Sequence, residues 1–395
     1  MGYSVLMLFA FFRPLTLVLG KYRFYGINVL EFFPVAITYL SVIILLFNIR
    51  YIKFNSMFMA ISLFLFYAGL SYFWGSQFQW IARNIIPYPM LILFTSVIKT
   101  ENQIKYLLIA FIAGFVYPIF GSIYAIYSGL DKGLLLYHTG DIRYYGIFLN
   151  SHSFGHAMLF FYFIYMLLRF CYGIKNKYIK IALDLLCLCS IWCLYKAGTR
   201  TTFVGFIVFS LIMLWKYNKI YLFGFIMCFV LICVIKYERV SEIIWQTKEV
   251  REQSLDSAGS GRISIWKHDV NTFIEFSVEK KLIGAGLGSE NKPVLMKKEL
   301  ILSAHNDYLA LLMTLGLLGL FSYLLIYGII VKDIYSFTSN YNLRTYFIAL
   351  ALSVFIMNGL SNCYITRVEL AQGLFFMFGI FYSYKWGIVR MNMLL

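Results

Sequence analysis

Stretches of about twenty consecutive, mostly apolar residues recur along nearly the whole chain, and only a lipid bilayer lets such a run bury every side. A window of that length places about twelve spans, at 3–20, 27–48, 56–75, 80–98, 106–128, 154–173, 181–196, 201–215, 220–236, 306–331, 345–364 and 369–385. The first, seventh and eighth are short enough to be tilted or broken. Of the 395 residues, 61% are hydrophobic and 13% charged, against about 45–50% and about 25% in soluble domains. A soluble globular enzyme is therefore excluded, and disorder, coiled coil and collagen lack the polar tract, heptad or glycine period they need. The expectation is an all-α integral membrane protein with about twelve transmembrane helices. The first run contains Arg13 and Pro14 and has no basic start, so it reads as a retained span rather than a cleaved signal.

One connection breaks the pattern. Residues 237–303 are hydrophilic, with ten acidic and ten basic side chains, too long for an idle linker. The chain thus divides into an N-terminal bundle (1–236), a large loop (237–303) and a C-terminal bundle (304–395). Lysines and arginines of the other loops fall into two alternating sets, fourteen in one and eight in the other. The excess marks the cytoplasmic side, which places both termini in the cytoplasm and the large loop outside it. The net charge of +16 is spread over these loop clusters, so a bilayer explains it better than nucleic acid.

The minority set is rich in arginine: Arg23, Arg83, Arg143, Arg200 and Arg367 are five of its eight members. Arginine presents a planar fork of donors suited to phosphate oxygens, so its enrichment on the side that topology does not require points to an anionic ligand there. Snorkelling toward lipid headgroups is the competing account. The seven cysteines lie within or beside apolar runs and read as core residues; neither they nor His138, His152, His156 and His268 form a metal-ligand pattern. Gly284, Gly286 and Gly288 lack the strand, helix and lysine of a nucleotide loop. Asp184 is a costly intramembrane carboxylate, but it lies near the predicted inner end and can reach water.

The most specific stretch opens the tenth span: Leu302-Ser-Ala-His305-Asn306-Asp-Tyr-Leu-Ala-Leu-Leu-Met-Thr-Leu-Gly316-Leu-Leu-Gly319. Ser303 or Asn306 is suited to cap the helix, with His305 expected in its first turn. There the positive helix end disfavours imidazolium and leaves an imidazole able to accept a proton. Gly316 and Gly319 are expected to let a neighbouring helix approach closely.

Histidine, Asn/Ser/Gln, nine residues, glycine, two residues and Gly/Thr/Tyr resembles the signature of bacterial O-antigen ligases and related polymerases, and His305-Asn306 through Gly316 and Gly319 fits it without a gap. Ala197-Gly-Thr-Arg200-Thr-Thr-Phe resembles the family's Thr/Ser-Arg turn. Gly261-Arg262-Ile-Ser-Ile-Trp266, followed by Ile283-Gly-Ala-Gly286-Leu-Gly288, resembles its outer-loop helix and glycine turn. Arg143-Tyr-Tyr-Gly-Ile-Phe-Leu-Asn150 is similar to an earlier stretch, although His152 departs from the Pro-Asn that relatives often show there. The resemblance covers about the second two-thirds of the chain.

It implies a fold similar to the membrane-embedded C-type glycosyltransferases, with one large extracytoplasmic loop, and a reaction at the outer face of the bacterial cytoplasmic (inner) membrane. The glycan would move from a polyprenyl diphosphate carrier to an acceptor hydroxyl without a metal or other cofactor. On that resemblance His305 is the expected general base, Arg200 and Arg262 the first-choice diphosphate ligands, and Arg143 and Arg367 the second. Asn306 and Asn150 orient sugar or histidine, or else act as helix caps. The leading expectation is a polymerase of O-antigen or capsule repeat units, with a chain-length regulator as partner. Transfer to lipid A-core, or to a protein hydroxyl, is the ligase alternative. A lipid-linked oligosaccharide flippase is the rival from another class, weakened by the lack of an internal repeat.

Overall fold

The computed structural model describes residues 2–19, 23–24, 27–47, 55–135, 142–217, 219–235, 262–289, 305–337, 340–361 and 368–388. They are almost wholly helical. In chain order the helices are α1 (Gly2–Val18), α2 (Val29–Phe47), α3 (Ser56–Leu70), α4 (Phe78–Ile85), α5 (Tyr88–Val97), α6 (Glu101–Tyr127), α7 (Ser151–Met166, prolonged by a wider turn to Tyr172), α8 (Lys177–Ala197), α9 (Arg200–Tyr217), α10 (Lys219–Ile235), α11 (Arg262–Glu275), α12 (Val278–Ile283), α13 (Asp307–Tyr335), α14 (Tyr341–Leu360) and α15 (Val368–Ser383). Two two-residue antiparallel hairpins complete the described elements. Among the described residues, seven helices are long and apolar enough to cross a membrane: α3 with its following turn, α6, α7, α8, α9, α13 and α14.

The apolar sequence makes helices because only they satisfy every backbone group internally in lipid, and polar residues mark where they start. Asn55, Asn150, Asn176, Asn306 and Asn340 each cap a helix through the side chain, and Thr100 forms a reciprocal box with Gln103. The span expected at 80–98 is instead two short helices, because Pro87 and Pro89 carry no N–H to continue the ladder. Ten-residue α5 rises about 15 Å, half the hydrocarbon thickness. An aromatic core joins the two bundles: Phe9 of α1 and Phe94 of α5 both pack on Phe376 of α15, with ring centroids 5.5 and 4.7 Å apart.

Helices α9 and α14 run antiparallel. Gly205 lies against Met357, whereas Phe209 lies against Tyr346 at 5.3 Å. Their far end gathers the lysine-rich loops. Lys216 sits 4.1 Å above Tyr341, Lys385 pairs with Asp333 at 2.5 Å, and Tyr384 donates to Glu101 at 2.8 Å. Asp184 belongs to this lysine end too, accepting from Tyr165 at 2.6 Å and pairing with Arg169 at 3.4 Å. Its charge is answered by structure.

Helix α13 is broken. Gly316 has φ 68° and ψ −167°, a conformation essentially confined to glycine. Residues 317–335 beyond it rise about 28 Å, a full crossing by themselves. Tyr308 and Tyr327 would stand about 28 Å apart in a straight helix, yet their hydroxyls donate to carbonyls four residues apart on α14, Phe355 and Ala351. The break therefore turns residues 307–315 sharply back toward α14 as a short arm. Gly316 was expected to admit a neighbouring helix; what it admits is the last turn of α12, at Leu282, together with the glycine loop that follows. The carbonyls freed at the break, those of Met313, Thr314 and Leu315, accept from Ala285 N–H (3.0 Å), Gly286 N–H (2.8 Å) and the Tyr67 hydroxyl (2.9 Å). A methyl group on Gly284 would stand 2.3 Å from the Thr314 carbonyl oxygen, and one on Gly316 2.4 Å from that of Leu282. The other side of residues 283–288 is bonded to the turn after α3, through Gln77 N–H to Leu287 O at 3.0 Å and Trp74 Nε1 to Ile283 O at 3.0 Å.

Candidate active site

The arm ends at α13's cap. The Asn306 carboxamide oxygen accepts from Tyr308 and Leu309 N–H at 3.0 and 3.1 Å, while its Nδ2 donates to the Gly359 carbonyl at 2.9 Å. Arg262, the first residue of α11, donates to the next carbonyl, that of Leu360. Two residues 44 positions apart in sequence are thus anchored to consecutive carbonyls at the C-terminus of α14. That is the negative end of the helix dipole, where a guanidinium is favoured. An arginine carries five N–H donors in a planar fork, of which the bond to Leu360 uses one.

His305 precedes the cap instead of sitting in the first helical turn, because Asn306 takes the capping role. Among the described residues it is the one non-glycine with positive φ, at 47°. Such a backbone costs on the order of 1–3 kcal/mol and persists where its surroundings impose it. The side chain is partly exposed.

Arg200 and Arg143 meet at a second corner. Helix α8 ends at Gly198 in the left-handed conformation, φ 60°, and α9 starts two residues later at Arg200. A methyl on Gly198 would stand 3.3 Å from Cγ of Arg143, so the arginine chain lies across the turn where only a glycine leaves room. Gly155 of α7 packs against Thr199, where an added methyl would lie 2.2 Å from its hydroxyl. Both corners lie at one end of the bundle. A methyl on Gly205 would touch Met357 and Leu159, so α7, α9 and α14 meet there. Arg200 lies five residues from that point and Leu360 three residues from Met357, about 7 and 5 Å of helical rise in the same direction.

Both dipole ends are present here, since α8 and α14 finish at this end with their partly negative C-termini. Helices α7, α9, α11 and α13 begin at this histidine end, so their partly positive N-termini face it. Arg200 and Arg262 occupy first helical positions, adding positive charge where a helix favours an anion. Such an arrangement is suited to a phosphate group. Among the described residues, no cluster of three or more His, Cys, Asp or Glu could hold a metal ion.

Asn150 is the α7 cap, accepting from Ser153 N–H at 2.8 Å. Arg367 lies outside the described residues. Two residues at this end were missed in the sequence. Asp131, 2% exposed, accepts from Gly133, Tyr145 and Gly146 N–H at 2.8, 2.9 and 2.7 Å, stapling the loop that carries Arg143. Its bond to Gly133 is a local Asx turn legible in Asp-x-Gly; the bonds fourteen and fifteen residues on are not. Lys196 lies in the last turn of α8, beside the Arg143–Arg200 corner.

No curated protein matches the chain. Residues 185–324 match a family model described as O-antigen ligase. The matched stretch includes Arg200, Arg262, His305 and Asn306, whereas Arg143, Asn150 and Arg367 fall outside it. Running from α8 into α13 across the arginine turn, the glycine crossing and the histidine, this match supports the chain's place in the O-antigen ligase and polymerase superfamily.

Proposed function

We propose that the chain is a polytopic glycosyltransferase of the bacterial cytoplasmic membrane that moves a glycan from a polyprenyl diphosphate to an acceptor hydroxyl, with the histidine end outside the cytoplasm. The observation that carries this reading is the anchoring of Arg262 and Asn306 to adjacent carbonyls of α14, beside His305 and at the same end as Arg200 and Arg143. In the reaction the acceptor oxygen attacks the anomeric carbon, and the bond from that carbon to the diphosphate oxygen breaks. His305 takes the acceptor proton, a role that contributes about 10²–10⁴-fold. Arg200, Arg262 and Arg143, with Arg367, receive the negative charge that collects on the departing diphosphate; fixed cations in a water-poor cleft act far more strongly than in bulk water. No metal is needed for either task.

The twelve-span arrangement, with both termini cytoplasmic and residues 237–303 outside, belongs to this reading, supported by the segregation of lysines such as Lys216 and Lys385 to the opposite end. For the acceptor, we favour a second lipid-linked repeat unit, which makes the enzyme an O-antigen or capsule polymerase working with a chain-length regulator. The alternative is a ligase that transfers the glycan to lipid A-core or to a protein hydroxyl; a ligase is what the family description names, without naming an acceptor. Purified protein given a labelled lipid-diphosphate oligosaccharide tests the reading. Growth of the glycan on the lipid supports polymerase, transfer to added lipid A-core supports ligase, and donor movement across vesicles with no new glycosidic bond overturns both in favour of a flippase.

A further inference from the structure

The Arg143–Arg200 corner contains a third cation that the proposed reaction has not yet used. Lys196 is tied to the Arg143 loop by its own backbone, whose carbonyl accepts from Tyr144 N–H at 3.2 Å. Its ammonium lies between two rings, 5.4 Å from the centroid of Tyr144 and 5.5 Å from that of Trp192. The indole is backed in turn by Tyr127, stacked at 5.4 Å with the planes 8° apart. A lysine in the last turn of a helix normally reaches into water, where its four-carbon stem is free to move. This one is held by aromatic faces on two sides and stays partly exposed, as Arg143 and Arg200 do.

We infer that Lys196 is a further donor-binding residue, a phosphate ligand that completes a three-cation corner with Arg143 and Arg200. The inference rests on the proposed glycosyl transfer for its substrate. Aromatic faces attract an ammonium through its charge rather than through its N–H donors, so the two rings hold Nζ in position beside the Arg143 loop. Two guanidinium forks and one ammonium suit a group carrying more than one negative charge, which favours the diphosphate of an isoprenoid carrier over the single charge of a common phospholipid headgroup. Asp131 supports the arrangement from below by fixing the backbone at Tyr145 and Gly146, next to Arg143 and Tyr144.

Full-length protein in detergent provides the test, with farnesyl diphosphate as the probe and an amine-acetylating reagent to footprint lysines. Farnesyl diphosphate is expected to protect Lys196 while leaving Lys99 and Lys177, exposed at the opposite end, fully reactive. Lys196→Met, which keeps a flexible apolar stem between the rings, is expected to weaken the probe about tenfold, with Lys196→Arg recovering part of the loss. Equal protection of Lys196 by phosphatidylglycerol would assign the corner to a headgroup and overturn the inference. So would an unchanged footprint on the wild-type chain, which needs no variant to fold. If wild-type protein transfers glycan while Lys196→Met binds the probe normally, Lys196 is refuted and the proposed reaction stands. If wild-type protein transfers nothing yet the footprint appears, the reaction fails and the diphosphate site stands.

Discussion

Replacing Asp131 by asparagine separates the loop that carries Arg143 from everything else at the site. One carboxylate oxygen accepts from Gly133 N–H, and the other accepts from both Tyr145 and Gly146 N–H, at 2.7–2.9 Å in a position 2% exposed. An amide retains one acceptor. If that oxygen keeps Tyr145 and Gly146, both bonds lose their charge assistance, and the new NH2 group meets the Gly133 N–H donor to donor. Charged bonds contribute about 1.5–3 kcal/mol and neutral ones about 0.5–1.5, while an unsatisfied buried donor costs about 1–3, so the loop loses about 3 kcal/mol. That is roughly a hundredfold rise in the open population. The helices do not depend on this carboxylate, so Asp131→Asn is expected to insert normally, to raise amide exchange at Tyr145 and Gly146 in mass spectrometry, and to increase KM for the lipid donor more than it lowers kcat. Native protection over residues 142–147 would show that Asp131 does not hold the loop. Increased exchange with an unchanged donor KM would show that the loop does not hold the donor.

His305→Ala is expected to lower transfer by about 10²–10⁴-fold with donor binding retained; wild-type turnover removes the base assignment. Arg262→Lys and Arg200→Lys keep charge but lose the fork, and each is expected to reduce kcat/KM about tenfold or more; unchanged kinetics in both would favour headgroup snorkelling. Burial pushes the Asp269 carboxyl, on the face of α11 shared with Arg262 and Trp266, up from 3.8 to about 6. Its folded form therefore holds a proton that the unfolded chain has released between those values, so detergent thermal stability should fall as pH rises from 4 through 6. Asp269→Asn should flatten that slope, and an unaltered slope assigns it to another group. One alanine inserted between Asn306 and Gly316 should abolish transfer without preventing membrane insertion, since it turns His305 by about 100° relative to the break; an active insertion variant would show that the arm's register is immaterial.

Much of this was legible because it rests on local chemistry. Apolar runs specify helices wherever they are long enough, and Asn150 and Asn306 were recognisable as caps from residue type and place. The placement of Lys216 at the opposite end of the bundle from Arg200 and His305 followed from an alternation that helices running in turn enforce. What could not be read depends on contacts between distant segments. Pro87 was visible, but its apolar neighbours concealed that it splits a span. Asp131 gave only the local half of its bonding, and Lys196 looked like an ordinary helix-end lysine until Trp192 and Tyr144 were seen around it. Gly316 was recognised as a place of close approach, but spacing does not say that the helix breaks there, nor that its neighbour is the end of α12 and the glycine loop.

That loop gives the histidine signature a mechanical meaning. Once α13 must break, the number of residues before Gly316 sets how far the arm reaches and which way its tip points. Nine residues lie between Asn306 and Gly316, about two and a half turns and 14 Å, which returns the cap to the end of α14. The break itself needs the glycine crossing, because Ala285 and Gly286 supply the N–H groups that the bent helix no longer provides. The crossing belongs to the same outer segment that begins with Arg262. Residues 262–289 therefore act on the site twice, bringing a guanidinium to Leu360 at one end and holding the histidine arm in its bent form at the other. A change that loosens the crossing should consequently displace His305 and Arg262 together, even though it touches neither side chain.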